Sequence, residues 1–206
     1  MLLLAIDTAT TVAAACVWRD GAVLAEGERR GAHVAQEVLV LCEELMDRAG
    51  IAPAELDGVV GGVGPGSFTG VRVGLATARG LGLALSVPVA GASTLGALRA
   101  GAGESSVACI DARRSEVFAE SADLRASART PAALVEHVPA GMLLVGDGAI
   151  RYRELFEAAG LSVPPDDDAR HAPAARFLAG LAADDGFSTP AEPRYLRRPD
   201  AEEVFS

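Results

Sequence analysis

The chain opens on five apolar residues in a row, 2–6 (LLLAI), with no polar residue alternating among them. An unbroken run of this kind predicts a strand covered on both faces. Asp7-Thr8-Ala9-Thr10-Thr11 follows with turn chemistry, and 12–18 (VAAACVW) reads as a second strand. Arg19-Asp20-Gly21 puts Asp-Gly at a hairpin tip, and 22–27 begins the return, so three antiparallel strands in succession are expected. Spacing then changes to a helical period over 33–49, closed by Gly50 at the position after the helix where a left-handed glycine is favoured. The apolar positions there, Val34, Val38, Leu39, Val40, Leu41, Leu45 and Met46, cover more than the ~100° stripe one buried face needs. This width predicts a helix packed on its own sheet on one side and on another chain on the other.

A further strand is expected over 59–63, a Gly-rich loop over 61–70 (GGVGPGSFTG), and a helix over 71–85. Gly74, Ala78 and Gly82 lie four residues apart on that helix, so one edge is nearly bare of side chains. Glycine costs roughly 1 kcal/mol relative to Ala inside a helix, which calls for a packing reason. A short strand at 87–90 and a helix capped by Ser93 complete a first lobe ending near residue 103. The second lobe repeats the opening: strand 107–110, turn Asp111-Ala112-Arg113-Arg114, return strand 116–120. Thr130-Pro131 supplies N-cap and N1 residues for a helix to about His137. Strand 142–145 ends in Gly146-Asp147-Gly148 and leads into a helix to about Ala159. A polar loop (164–171), a helix over 173–183 and an acidic tail from Pro190 close the chain. The expected fold is α/β, with two related lobes of mixed sheets and flanking helices, the second smaller. The lobes are read as 1–103 and 104–189, with a tail at 190–206. Duplicated lobes of this type describe the actin-like (ASKHA) ATPase and phosphotransferase architecture, in which a nucleotide lies between them.

Composition narrows the chemistry. The 206 residues are 50% hydrophobic with a mean hydropathy of +0.27, which excludes disorder as the main state. All 18 basic residues are Arg, so no P-loop lysine, Schiff-base lysine or catalytic lysine exists here. The net charge is −10, with 10 acids against 7 Arg in 1–103 and 18 against 11 in 104–206. Both halves are acidic, and a strong unaided grip on nucleic acid is not expected; a partner must supply most phosphate contacts. Cys16, Cys42 and Cys109 form an odd set without a CxxC motif and read as buried thiols of a reducing, cytoplasmic compartment. No charge-free apolar stretch reaches ~20 residues, and the opening run lacks a basic leader.

Among candidate sites, the loop Gly64-Pro65-Gly66-Ser67-Phe68-Thr69-Gly70 could present amides to an anion at a helix N-terminus. It matches neither a P-loop nor a Rossmann fingerprint, and it reads equally as a tight strand-to-helix turn with Thr69 as N-cap. Asp7 and Asp111, each at the end of an apolar strand, could hold Mg²⁺ through water or simply stabilise their turns. His33, His137 and His171 lie too far apart for a metal pair. Ser67 has no identifiable base.

In order along nearly the whole chain stand Ala5-Ile6-Asp7-Thr8-Ala9-Thr10, Gly64-Pro65-Gly66-Ser67-Phe68-Thr69-Gly70-Val71-Arg72, Gly91-Ala92-Ser93-Thr94-Leu95, Ile110-Asp111-Ala112-Arg113 and Glu192-Pro193-Arg194-Tyr195-Leu196-Arg197. This series resembles the bacterial TsaB family, also called YeaZ; Phe118 stands where many relatives have Tyr. The resemblance implies a non-catalytic subunit of the complex that makes threonylcarbamoyladenosine (t6A) at adenosine 37 of tRNAs reading codons that begin with A. It implies a larger paralogue, TsaD, as direct partner and metal holder, a small ATPase, TsaE, and tRNA contact through the complex. It implies no cofactor in this chain, ATP and metal belonging to the complex, and it leaves room for a homodimer in isolation. By the same resemblance His33, Val34, Val38, Leu41 and Leu45 of the first helix and Arg72, Gly74, Ala78 and Gly82 of the second face the partner. Asp7, Thr8, Gly64, Gly66, Ser67, Thr69 and Asp111 would be a vestigial nucleotide loop. The competing reading is a divergent actin-like ATPase or kinase using Asp7 and Asp111 with Mg²⁺.

Overall fold

The opening strand β1 (Leu2–Asp7) is buried at all six positions. Its apolar run has no alternation because the strand lies mid-sheet, antiparallel to β2 (Val12–Arg19) and parallel to β4 (Gly58–Gly62). β3 (Ala22–Arg30) and β5 (Val89–Ala92) form the edges, giving the order β3-β2-β1-β4-β5 in this computed structural model, which describes residues 1–31 and 34–197. One face of the sheet is covered by α1 (Val38–Ala49) and α2 (Phe68–Leu85), around Leu4, Ile6, Leu41, Leu45 and Ala78. The other is covered by α7 (Ala175–Asp184) around Leu3, Ala5, Val60 and Leu178.

The second sheet has the order β8-β7-β6-β9, from β6 (Ser106–Arg113), β7 (Glu116–Glu120), β8 (Ser127–Arg129) and β9 (Leu143–Val145). Its core lies under α4 (Pro131–Val135), α5 (Asp147–Arg151) and α6 (Arg153–Ala158), with Phe156 fully buried. α3 (Thr94–Ala102) bridges the two halves: Leu95 and Leu98 pack on the second sheet, while Ala97 joins the core under α7.

Several expectations shift for identifiable reasons. The helix over 33–49 begins regular α-geometry at Val38, after a 3-10 turn at Val34–Glu37, and ends at Gly50 with φ +65°. The helix expected from Val71 starts at Phe68, because Ser67 rather than Thr69 is the N-cap; its hydroxyl accepts from the Gly70 amide at 3.3 Å. The strand read at 87–90 lies at Val89–Ala92, since Ser86 and Val87 close α2 by donating to carbonyls of its last turn. The helix to Ala159 is interrupted at Tyr152. β8, three half-buried residues without alternation, went unforeseen. Most consequential, the helix assigned to the second lobe returns to the first: α7 packs on β1, β2, β4 and β5. The boundary at 189 therefore fails to separate two lobes by packing. The segment after it also binds the first sheet, with the Gly91 amide donating to Thr189 O at 2.8 Å and the Arg194 amide to Val63 O at 2.9 Å.

Candidate functional site: an interlobe cleft and an outward helix face

β1 and β6 both end in an aspartate followed by a turn, and the fates of the two carboxylates differ. Asp7 is fully buried. Its Oδ1 accepts from the Ala9 amide at 2.7 Å and its Oδ2 from the Thr94 hydroxyl at 2.6 Å. Burial pushes Asp7 up to about 6, against the lowering pull of these two bonds. Asp111 accepts from the Arg113 amide through Oδ1, and its Oδ2 lies 3.2 Å from Arg113 and 3.1 Å from Arg151. Asp147, on α5, accepts from the Asp111 amide at 2.9 Å, and burial raises it. A divalent cation needs carboxylate oxygens with free lone pairs facing an open site. Asp7 is buried away from solvent while Asp111 is paired with Arg113 and Arg151, so the two carboxylates do not face one open site as a shared Mg²⁺ would need. Among the described residues no group of three or more His, Cys, Asp or Glu could hold a metal.

Between the lobes lies a cleft of about 820 Å³. Its walls include Thr8, Gly66, Ser67 and Thr69 from the first lobe and Asp111 from the second; Asp7 is absent from them. Gly66 sits against Ala9, where a Cβ would overlap the Ala9 carbonyl oxygen. Gly64 adopts φ +83°, and its carbonyl accepts from the Thr94 amide at 3.0 Å. The loop is therefore spent largely on joining β4 to α2 and to the Asp7 turn. Thr8 donates its hydroxyl to Gly70 O at 2.7 Å.

The cleft's far rim is basic and aromatic. The β6–β7 turn holds Arg113, Arg114 and Ser115 consecutively at φ +62°, +51° and +60°, a left-handed run unfavourable for side-chain-bearing residues. Arg194, Tyr195 and Arg197 also line the cleft, Arg197 reaching the β6–β7 hairpin through the Ala112 carbonyl and Glu116. Tyr195 stacks on Phe68 with ring centroids 5.7 Å apart, and Arg72 lies 3.6 Å over the Phe68 ring while donating to the Tyr195 hydroxyl at 2.9 Å. Sequence reading missed this cluster because Tyr195 lies 123 residues from Arg72.

Six of the helix positions assigned to a partner face the chain's own core instead. Val38, Leu41 and Leu45 are in the chain's own core. Gly74 faces Thr8, where a Cβ would overlap Oγ1; Ala78 is fully buried; Gly82 lies against Val89. This stripe lets α2 approach its own sheet. His33 lies outside the described residues, Val34 is in the 3-10 turn, and Arg72 belongs to the aromatic cluster at the cleft. The outward face carries other residues: Leu39 and Val40 on α1, 53% and 55% exposed, and Leu83 on α2, 85% exposed. A second small-residue stripe, Ala76, Gly80 and Ala84, runs exposed beside them, and a Cβ at Gly80 would meet nothing within 4 Å.

Two lobes that each open on a strand–Asp turn–strand, with a cleft between them, define the actin-like ATPase fold class. A Clostridium difficile structure, the activator of 2-hydroxyisocaproyl-CoA dehydratase with bound ADPNP, shares this fold at TM-score 0.54 and 12% identity, covering 90% of this chain and 97% of that one. Residues 28–138 match the family model described as TsaD: tRNA N6-adenosine threonylcarbamoyltransferase. YeaZ from Pseudomonas aeruginosa superposes at TM-score 0.72 with 28% identity over 95% of this chain and all of that one. The Escherichia coli tRNA threonylcarbamoyladenosine biosynthesis protein TsaB is 38% identical over 123 residues, 57% of this chain. That match spans about half of the relative, 53% of its length. The chain belongs to the TsaB/YeaZ family. Among the described residues, no helix is long and apolar enough to cross a membrane.

Proposed function

We propose that this chain acts in t6A formation on tRNA as a non-catalytic subunit that binds and stabilises TsaD, the modification falling on adenosine 37. The observation that carries this reading is the outward face of α1 and α2. A mid-helix glycine costs roughly 1 kcal/mol and is kept where a backbone must come close. Gly80 has open space where its side chain would be, so nothing within the chain accounts for it. Leu83 beside it is largely exposed, and burying a leucine is worth about 1.5–3 kcal/mol. A partner helix laid along Ala76, Gly80 and Ala84 with Leu39, Val40 and Leu83 around it satisfies both. The same face serves a homodimer when TsaD is absent. TsaE and tRNA engage through the complex, and nucleotide and metal are held elsewhere in it.

The burial of Asp7 outside the cleft, away from Asp111, supports the non-catalytic part of the reading. The competing reading, ATP chemistry in the 820 Å³ cleft, requires turnover by the isolated chain that disappears in Asp7→Ala. The test of the interface is Leu83→Arg in a TsaD binding assay. Association should weaken at least ~10-fold, one buried anchor's worth, with the melting temperature of the free chain unchanged. Unaltered binding would put the interface elsewhere.

A further inference from the structure

The cleft rim concentrates positive charge in a chain whose net charge is −10. Arg113, Arg114, Arg194 and Arg197 line it, against Asp111 and Asp147. The two acids are already engaged: Asp111 by Arg113 and Arg151, Asp147 by the Asp111 and Gly148 amides. Arg197 is held by Glu116 and the Ala112 carbonyl, which fixes the segment bearing its neighbours Arg194 and Tyr195. Arg194 is exposed, and its backbone amide donates to Val63 O.

Beside these guanidinium groups Tyr195 is 48% exposed and Phe68 54%. Arg72 donates to the Tyr195 hydroxyl and lies 5.9 Å from its ring centroid, and Phe68 stacks on that ring, so the tyrosine is held in place from one side. A pre-ordered ring with an open side, next to planar cations, is the arrangement on which unpaired bases stack while their phosphates meet Arg. The left-handed Arg113–Arg114 pair adds to this. Backbone strain of order 1–2 kcal/mol per residue persists where the surroundings enforce it, commonly at binding sites.

We propose that this rim is an RNA contact: a single-stranded segment of the tRNA stacks one base on Tyr195 and sets a phosphate against Arg194. The inference rests on the tRNA-modification reading above and extends it. The chain is too acidic overall to hold RNA alone, and the rim contributes one nucleotide's worth of contact within the complex.

The experiment measures the affinity of unmodified tRNA for the assembled TsaD complex, carrying wild-type chain, Tyr195→Ala, Tyr195→Phe or Arg194→Glu, across a salt series. Complex assembly is checked by size-exclusion chromatography, and the melting temperature of each free variant is recorded. Loss of one base stack should weaken tRNA binding ~5- to 100-fold in Tyr195→Ala, while Tyr195→Phe stays near wild type. Arg194→Glu should weaken binding and lower the slope of log K against log salt by at least about one. Unchanged affinity in intact Tyr195→Ala and Arg194→Glu complexes overturns the proposal. So does loss of assembly in these variants, which would assign the rim to a protein partner. Activity is read separately: a wild-type complex that binds tRNA through Tyr195 yet makes no t6A would refute the functional reading and leave the RNA contact standing.

Discussion

Replacing Asp7 by Asn separates a structural carboxylate from a catalytic one. Asp7 is fully buried, and both oxygens accept hydrogen bonds, from the Ala9 amide and the Thr94 hydroxyl. Desolvation outweighs those bonds and moves its pKa from 3.8 to about 6. A difference of about 2 units corresponds to ~3 kcal/mol at 1.4 kcal/mol per unit. The folded state binds this proton more tightly than the unfolded state does. The group therefore loses stability as pH climbs from about 4 to about 6, and the loss is complete above that range. Asn keeps the shape and does not titrate. Its Oδ1 accepts from the Ala9 amide, and its Nδ2 donates to the Thr94 oxygen once that hydroxyl turns. At pH 7.5 the Asp7→Asn chain should be more stable than wild type by up to about 3 kcal/mol, with the gain shrinking below pH 6 and absent near pH 4. Urea unfolding at pH 4, 5, 6 and 7.5 reads this directly, followed by fluorescence of Trp18, the chain's single tryptophan, on β2. A destabilised variant at pH 7.5, or a difference independent of pH, would refute the reasoning.

Gly80→Ala should raise the stability of the free chain by ~1 kcal/mol, since the added methyl meets open space and helix propensity improves; a lower melting temperature contradicts the placement. Gly74→Ala should do the reverse, costing ~1–3 kcal/mol because its Cβ collides with Thr8 Oγ1, and urea titration of the isolated chain measures it. Burial pushes the Cys16 and Cys42 thiols up to about 12 and raises Cys109. Iodoacetamide at pH 8 should label none of the three in the folded chain and all three in urea, as counted by intact mass.

Much of the fold was legible from local pattern. The continuous apolar run 2–6 announced a strand covered on both faces, and β1 is that strand. Ser93 as a helix cap and Gly50 as a helix end followed from side-chain and backbone preferences that act over three or four residues. What failed depended on distance or on facing. α2 carries two stripes of small residues at the same four-residue spacing, 74/78/82 and 76/80/84, and periodicity alone does not say which faces the sheet. The expectation puts 74/78/82 outward, whereas in the structure that stripe faces the chain's own sheet. α7 has the composition of a core helix for either lobe, and only its packing on β1 and β2 assigns it to the first. The Gly-rich loop was readable as a strand-to-helix turn. That Asp7 would be covered beside it, while Asp111 lines the cleft, is a property of tertiary burial. The Arg72–Phe68–Tyr195 cluster unites the loop with the segment after α7, and no local signal marked it.

The most direct measurement reconstitutes t6A formation from TsaD, TsaE, threonylcarbamoyl-AMP and unmodified tRNA, with product quantified by mass spectrometry. Four reactions are compared: no chain, wild type, Asp7→Asn and Leu83→Arg. A scaffold that works through its outward helix face gives product with wild type and Asp7→Asn alike, and little with Leu83→Arg or with the chain omitted. Equal product without the chain, or product lost in Asp7→Asn while TsaD binding stays intact, would contradict it.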